Sequence, residues 1–213
     1  MGRGNGRLLA AGATVVLLAG CGTSGEAGSD GEPEALSRKQ AQSVVPDQEA
    51  MHGWRMTTKP SALPMKGIRQ GGVCEGATDS CKGARFYSAS NFLQKNKSSS
   101  VSFSLVAYNS QQAAGAAYDA MWKLHSKSMA PHASKIKLDT EERSDARLGV
   151  IGFKGEPGAV VQMRVGTALS WVQLRGVRKG AFDEELVKDL ATMLDKRGQE
   201  ANNGGTATTR LRH

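Results

Sequence analysis

The chain has 213 residues, with 28 Lys and Arg against 20 Asp and Glu, a formal charge of +8. That length suits one domain with flexible ends. Hydrophobic residues make up 39% of the chain but aromatics only 5%, so a core must lean on Val, Leu, Ala and Met.

The N-terminus carries Arg3 and Arg7 and then an apolar run, Leu8 to Gly20, with no acidic residue before Glu26. A helix needs about 20 apolar residues to cross the hydrocarbon core, and this run is too short. A basic start, a short apolar middle and small residues before a break form the layout of a secretory signal peptide. The run ends in Leu18-Ala19-Gly20-Cys21, which resembles the lipobox of bacterial lipoproteins. The resemblance implies cleavage before Cys21, so residues 1–20 are a lipoprotein signal peptide. The Cys21 thiol then takes a diacylglycerol through a thioether. About 0.8 kcal/mol per buried methylene makes one acyl chain a marginal anchor, and two or more a stable one. The alternative is an ordinary signal peptide with a cysteine at that place by coincidence.

Residues 21–33 are Gly, Ser and acidic residues with little apolar content, as expected of a flexible tether. In an exported chain this charge does not imply nucleic acid: it either draws the surface to anionic headgroups or acidic wall polymers, or serves solubility alone. Of the three cysteines, lipidation of Cys21 leaves Cys74 and Cys81 as a pair in an oxidising compartment. A disulfide there closes a short, turn-rich loop, CEGATDSC, with roughly 2–3 kcal/mol of loop-entropy stabilisation. Zinc is the weaker reading, because Cys-x6-Cys lacks the usual spacing and no His is near.

The single folded domain is expected over residues 34–198. EALSRKQAQSVV, residues 34–45, reads as a short helix ended by Pro46. His52 to Thr58 reads as a first strand, and Pro60, Pro64 and the following glycines as a long loop. Ala84 to Ala89 is strand-like. Ser99 to Tyr108 alternates, with Val101, Phe103, Leu105 and Ala107 on one face. Asn109 is a candidate cap for a helix over 111–126, whose Ala114, Ala117, Tyr118, Met121 and Leu124 recur at helical spacing. Residues 127–147 read as irregular, and Leu148 to Lys154 as a strand.

The most informative stretch is AVVQMRVGTALSWVQLR, Ala159 to Arg175. A Gly166-Thr167 turn makes it a hairpin that pairs Val165 with Ala168, Met163 with Ser170 and Val161 with Val172. One face is then apolar, and the other carries Gln162, Arg164, Leu169, Trp171, Gln173 and Arg175. A closing helix starts at or near Asp183, buries Phe182, Leu186, Leu190, Met193 and Leu194, and stops at Gly198 with Lys196 and Arg197 at its C-terminal end. Residues 199–213 are polar and read as a disordered tail. The order implies an α+β fold, a twisted antiparallel sheet with helices packed on one side.

The element order and local residue types resemble a group of actinobacterial lipoproteins. These share a domain with the extracellular sensor region of receptor Ser/Thr kinases. The likeness rests on the lipobox, the helix leading into VVPDQEAMHGW, the cysteine pair, the AAGAAYDAMW helix, the VQMRVGTALSWVQLRG hairpin and the DEELVKDLATML helix. It spans about residues 35–197 and implies a ligand cleft without recognised catalytic residues. Those kinase sensors usually carry two disulfides, whereas this chain has cysteines for one.

No Gly-x-Ser-x-Gly elbow, Walker loop, His-Glu-x-x-His or EF-hand loop occurs, and the four histidines are scattered. The expectation is therefore no enzyme, no cofactor and no metal. Gln162, Arg164, Trp171 and Gln173 are the candidate ligand-binding residues, because a Trp beside an Arg and two amides can stack on and hydrogen-bond a sugar, acid or peptide. The competing reading has a helix over this face, Trp171 in the core and the arginines at its rim. The expected role is a lipid-anchored, extracytoplasmic ligand-binding or sensing module on the outer face of the cytoplasmic membrane. The alternatives are an adaptor docking on another envelope protein and, third, an envelope hydrolase. Replacing the anchor residue, Cys21→Ala, should release the chain from membranes or block its processing, as membrane fractionation would show; unchanged retention refutes the anchor.

Overall fold

The computed structural model describes residues 34–68, 78–95, 99–151, 155–177 and 180–212. Cys21, the signal segment, the tether and Cys74 lie outside the described residues; Cys81 ends a 3-10 turn, Thr78–Cys81.

The first helix, α1, runs Arg38–Val44 and opens on a reciprocal cap: Ser37 Oγ accepts from the Gln40 amide while Gln40 Oε1 accepts from the Ser37 amide. Such a box satisfies two donors that a helix start leaves open. Strand β1, Trp54–Pro64, is longer than the expected His52 to Thr58 and runs through both prolines. It can do so because it is an edge strand, with pairing interrupted between Thr58 and Ser61 around Pro60. Proline cannot donate to a ladder, so edges and bulges are where it fits.

Strands β2 (Ala84–Gln94) and β3 (Ser99–Tyr108) lead into helix α2, Gln111–Lys127. Its cap is Ser110, whose hydroxyl accepts from the Ala113 amide, rather than Asn109. The stretch expected to be irregular contains a three-residue strand, β4 (Ser134–Ile136), and the start of β5 (Ser144–Ile151). Strands β6 (Glu156–Val165) and β7 (Ala168–Gly176) form the hairpin in the expected register, with Val165 opposite Ala168, Met163 opposite Ser170 and Val161 opposite Val172. Gly166 turns it at φ +54°, and a Cβ there would sit 2.5 Å from Asn202 Oδ1. Both the left-handed backbone and the close approach of helix α3 (Glu184–Asn202) therefore require glycine.

The strands form one seven-stranded antiparallel sheet in the order β1-β2-β3-β7-β6-β5-β4. The fold is α+β, as expected, but the helices do not share one side. Helices α1 and α3 cover the face carrying Val101, Phe103, Leu105, Val161, Met163, Val172 and Leu174. Helix α2 covers the opposite face, over Val106, Tyr108, Leu169 and Trp171. Both faces of the central strands β3 and β7 are thus buried, which the sequence foreshadows in the apolar Val106, Leu169 and Trp171 on the nominally polar face.

Helix α3 passes through Gly198 instead of stopping there. A Cβ on Gly198 would lie 3.0–3.2 Å from the Val165 side chain, so glycine here serves close packing of α3 on β6. The expected disordered tail, residues 199–213, is corrected in the same way: residues 199–202 complete α3, and residues 203–212 fold back. Glu200 accepts from the Thr208 and Thr209 amides and the Thr209 hydroxyl, and the Leu211 amide donates to the Ala50 carbonyl. Ala207 and Leu211 are buried.

Arg197 ties these parts together. Only 2% exposed, it donates through Nε to the Val44 carbonyl (2.9 Å), through Nη2 to the Ser43 carbonyl (2.6 Å) and through Nη1 to the Thr209 carbonyl (2.6 Å). Two of these acceptors are the last carbonyls of α1, which have no partner within the helix. Arg197→Met should leave all three buried or half-buried acceptors without a donor, each worth roughly 1–3 kcal/mol. We expect urea unfolding to report a loss of about 3 kcal/mol or more, with faster amide exchange at Leu211; a loss within about 0.5 kcal/mol would refute the clamp.

Candidate functional site

The four candidate residues lie on one face of the hairpin, with Gln162 opposite Trp171, Arg164 opposite Leu169 and Gln173 opposite Val160. Helix α2 closes over the centre of that face. Gln162 is fully buried and its amide is spent inside the protein: Nε2 donates to the Tyr118 carbonyl (2.8 Å), and Oε1 meets His125 Nδ1 (2.9 Å). Since Oε1 can only accept, His125 carries its proton on Nδ1. The His125 ring lies 4.9 Å from the Trp171 ring, and Tyr87 stands 6.3 Å away on the other side. Trp171 is therefore a core residue. Arg164 is half-buried and paired with Glu142 at 3.3 Å, and Gln173 is half-buried on β7. Of the two readings of this face, the structure gives the one with a helix over it and Trp171 in the core, and Gln162, Arg164, Trp171 and Gln173 do not form an open ligand platform. Trp54 is likewise core, and Trp122 packs at the margin of the α2 cluster.

Around this face sits a polar network. The Tyr118 hydroxyl donates to Asp145 Oδ2 (2.9 Å), and the Arg143 guanidinium lies 4.1 Å over the Tyr118 ring while binding Asp119. Burial, and then the Asp145 hydrogen bond and charge, push the Tyr118 hydroxyl pKa far up, so it stays protonated as a donor. Among the described residues no group of three or more His, Cys, Asp or Glu side chains is placed to hold a metal ion. His132 is exposed on the loop after α2, apart from buried His125.

A cavity of about 520 Å³ opens elsewhere, between α1, edge strand β1 and the folded-back C-terminal segment. This size falls within the usual range for small-molecule sites, about 300–1,000 Å³. Lys39 and Gln42 come from α1, Met56 and Lys59 from β1, and Thr206 and Ala207 from the C-terminal segment, with Arg197 at the wall. The position follows from the fold. Side chains from α1 and the segment after it bind the β1 backbone: Arg38 Nε donates to the Ala62 carbonyl, Gln42 Nε2 to that of Pro60 and Gln48 Nε2 to that of Trp54, while Gln48 Oε1 accepts from the Met56 amide. These bonds cover an edge that would otherwise invite strand pairing, and they hold α1 beside β1 with a cleft between them.

The sequence reading missed this site because Arg197 was taken as a dipole-complementing cation at a helix end. A signal was present: Arg197 follows Leu190 by seven positions and Leu194 by three, and precedes Ala201 by four, so it lies in the apolar stripe. A charge inside such a stripe is a buried one.

A seven-stranded antiparallel α+β sheet, buried on both faces and with a cavity at its β1 edge, defines the class of domain. No family model and no curated protein matches the chain. Among solved structures it is similar to one described as "Crystal structure of the extracellular domain of PknH from Mycobacterium tuberculosis". The TM-score is 0.51 at 8% identity, over 81% of this chain and 99% of that one. The likeness is one of fold alone. Among the described residues, no helix is long and apolar enough to cross a membrane.

His125 gives the α2 face a pH dependence. Burial lowers its pKa below the ordinary 6.5, and the hydrogen bond to Gln162 opposes this only in part. A depressed folded pKa means that its contribution to stability is complete above pH 6.5 and declines as pH falls towards the folded value. Urea midpoints measured from pH 7 to pH 5 should therefore fall further in the native chain than in His125→Asn, whose amide can donate to Gln162 without charging. Parallel declines would rule His125 out as the cause.

Proposed function

We propose that the chain is a non-catalytic ligand-binding or sensing module, held on the outer face of the membrane by lipid on Cys21. The observation that carries this reading is the 520 Å³ cavity with the buried Arg197 guanidinium in its wall. Pockets built for recognition combine an apolar lining with a few fixed polar groups. Here Val45, Met56, Pro60 and Ala207 supply the first and the clamped Arg197 the second, with the exposed Lys39 and Lys59 adding positive charge to the lining. The extracellular sensor-like fold and the lipobox support the compartment. A disulfide between Cys74 and Cys81 belongs to the same proposal.

Catalysis is not part of it. The buried titratable groups of the α2 face are engaged with one another, His125 with Gln162 and Tyr118 with Asp145. General acid–base or nucleophilic chemistry needs such groups within reach of a substrate.

The test is native mass spectrometry of the chain purified gently from its own cell envelope. A discrete added mass that disappears on denaturation is expected, and it should be lost in Gln42→Trp, a change at an exposed helix position on the cavity wall. A bare chain mass overturns the reading, and so does an adduct that Gln42→Trp leaves in place.

A further inference from the structure

We propose that this cavity receives a phosphate group carried on a small organic moiety, an assignment that rests on the cavity being the binding site. The first ground is charge. Arg197, Lys39 and Lys59 face a single carboxylate, Asp47, in the lining, and Asp47 Oδ1 already accepts from the Ala50 amide. Neither lysine, nor Arg197, forms an ion pair among the described residues. Arg197 is the telling member. Its three hydrogen-bond partners are neutral carbonyls. The Asp47 and Glu200 charges act on it only without direct contact, whereas a buried charge is best held by a hydrogen-bonded counter-charge.

The second ground is geometry. A guanidinium has five N–H groups, and three are committed, leaving one on each terminal nitrogen. The three cations come from three elements, Lys39 from α1, Lys59 from β1 and Arg197 from α3. Cations carried on three separate elements around one cavity suit a tetrahedral oxyanion, whereas a planar carboxylate is satisfied by one bidentate arginine. The third ground is size. The volume exceeds a bare phosphate, and the lining also mixes Val45, Met56, Pro60 and Ala207 with Gln42, Ser43 and Thr206, so the ligand carries an organic portion with both apolar and polar groups.

The phosphate can belong to a lipid headgroup or to a soluble ester, and the experiment separates the two. The full chain in neutral detergent is titrated with inorganic phosphate at constant ionic strength, beside Lys39→Ala/Lys59→Ala, which keeps Arg197 and the clamp. Saturable binding weakened about tenfold or more in the double variant is expected. If micelles doped with phosphatidic acid displace the phosphate, the lipid headgroup is the source; if they do not, a soluble ester is. Equal binding by both proteins overturns the proposal. Absence of saturable binding overturns it too, and native mass spectrometry then separates two failures. A neutral or cationic adduct that Gln42→Trp expels leaves the binding reading standing, whereas a bare chain removes both.

Discussion

A buried guanidinium without a carboxylate partner organises one side of this protein. Arg197 reaches from the last helix to the end of the first and to the folded-back C-terminus, and all three bonds end on backbone carbonyls. Helix α1 is only seven residues long, too short to be stable alone in water. It persists because its start is boxed by Ser37 and Gln40, its end is satisfied by Arg197, and Leu36, Ala41, Val44 and Val45 are buried. The charge that makes this possible has its pKa lowered by burial, with Asp47 and Glu200 pulling the other way. Such a group is costly to hold, and it stands at the wall of the cavity.

The sheet divides labour between its faces. On the α1 and α3 face, apolar contact dominates, with Phe92 and Phe103 edge to face at 5.9 Å. On the α2 face, the small residues Ala114 and Ala117 bring the helix near enough for polar side chains to cross from helix to sheet. Gln162 then bonds both the Tyr118 carbonyl and His125. A buried amide with both ends used fixes the rotation and height of α2 on the sheet, which apolar contact alone does less well. The residues that looked like a ligand platform thus specify packing.

Much of the fold was legible in the sequence, for identifiable reasons. The alternation through Ser99–Tyr108 and the hairpin turn at Gly166 each constrained register, and the two agreed. The α2 stripe of Ala114, Ala117, Tyr118 and Met121 was visible at helical spacing. Sequence periodicity does not carry which side of a sheet a helix takes, so the choice between helices on one side and a helix over the Trp171 face is made only by the structure. The long reach of β1 was hidden because proline reads as a breaker until a strand is known to be an edge. The tail was hidden because its hydrogen bonds depend on single residues, Glu200 and Arg197, and composition is blind to those. The same blindness hid the cavity, which exists only once α1, β1 and the tail are brought together.

This arrangement has a thermodynamic consequence. Thr206 and Ala207 form part of the cavity wall, and their position follows from the bonds that Glu200 and Arg197 make to the next few residues. Hydrogen bonds to Thr208 and Thr209 hold the Glu200 carboxyl below its ordinary pKa even though partial burial acts to raise it. Its contribution is therefore present at neutral pH and lost in acid. The tail is held at several points, by Arg197, Glu200, the Ser43 hydroxyl and the Ala50 carbonyl, with Leu211 in the core. Under the proposed function, a ligand that required the folded-back tail would stabilise it by the same free energy with which the tail improved binding. On that proposal the clamp, the tail and the cavity form one equilibrium, with Arg197 in contact with all three.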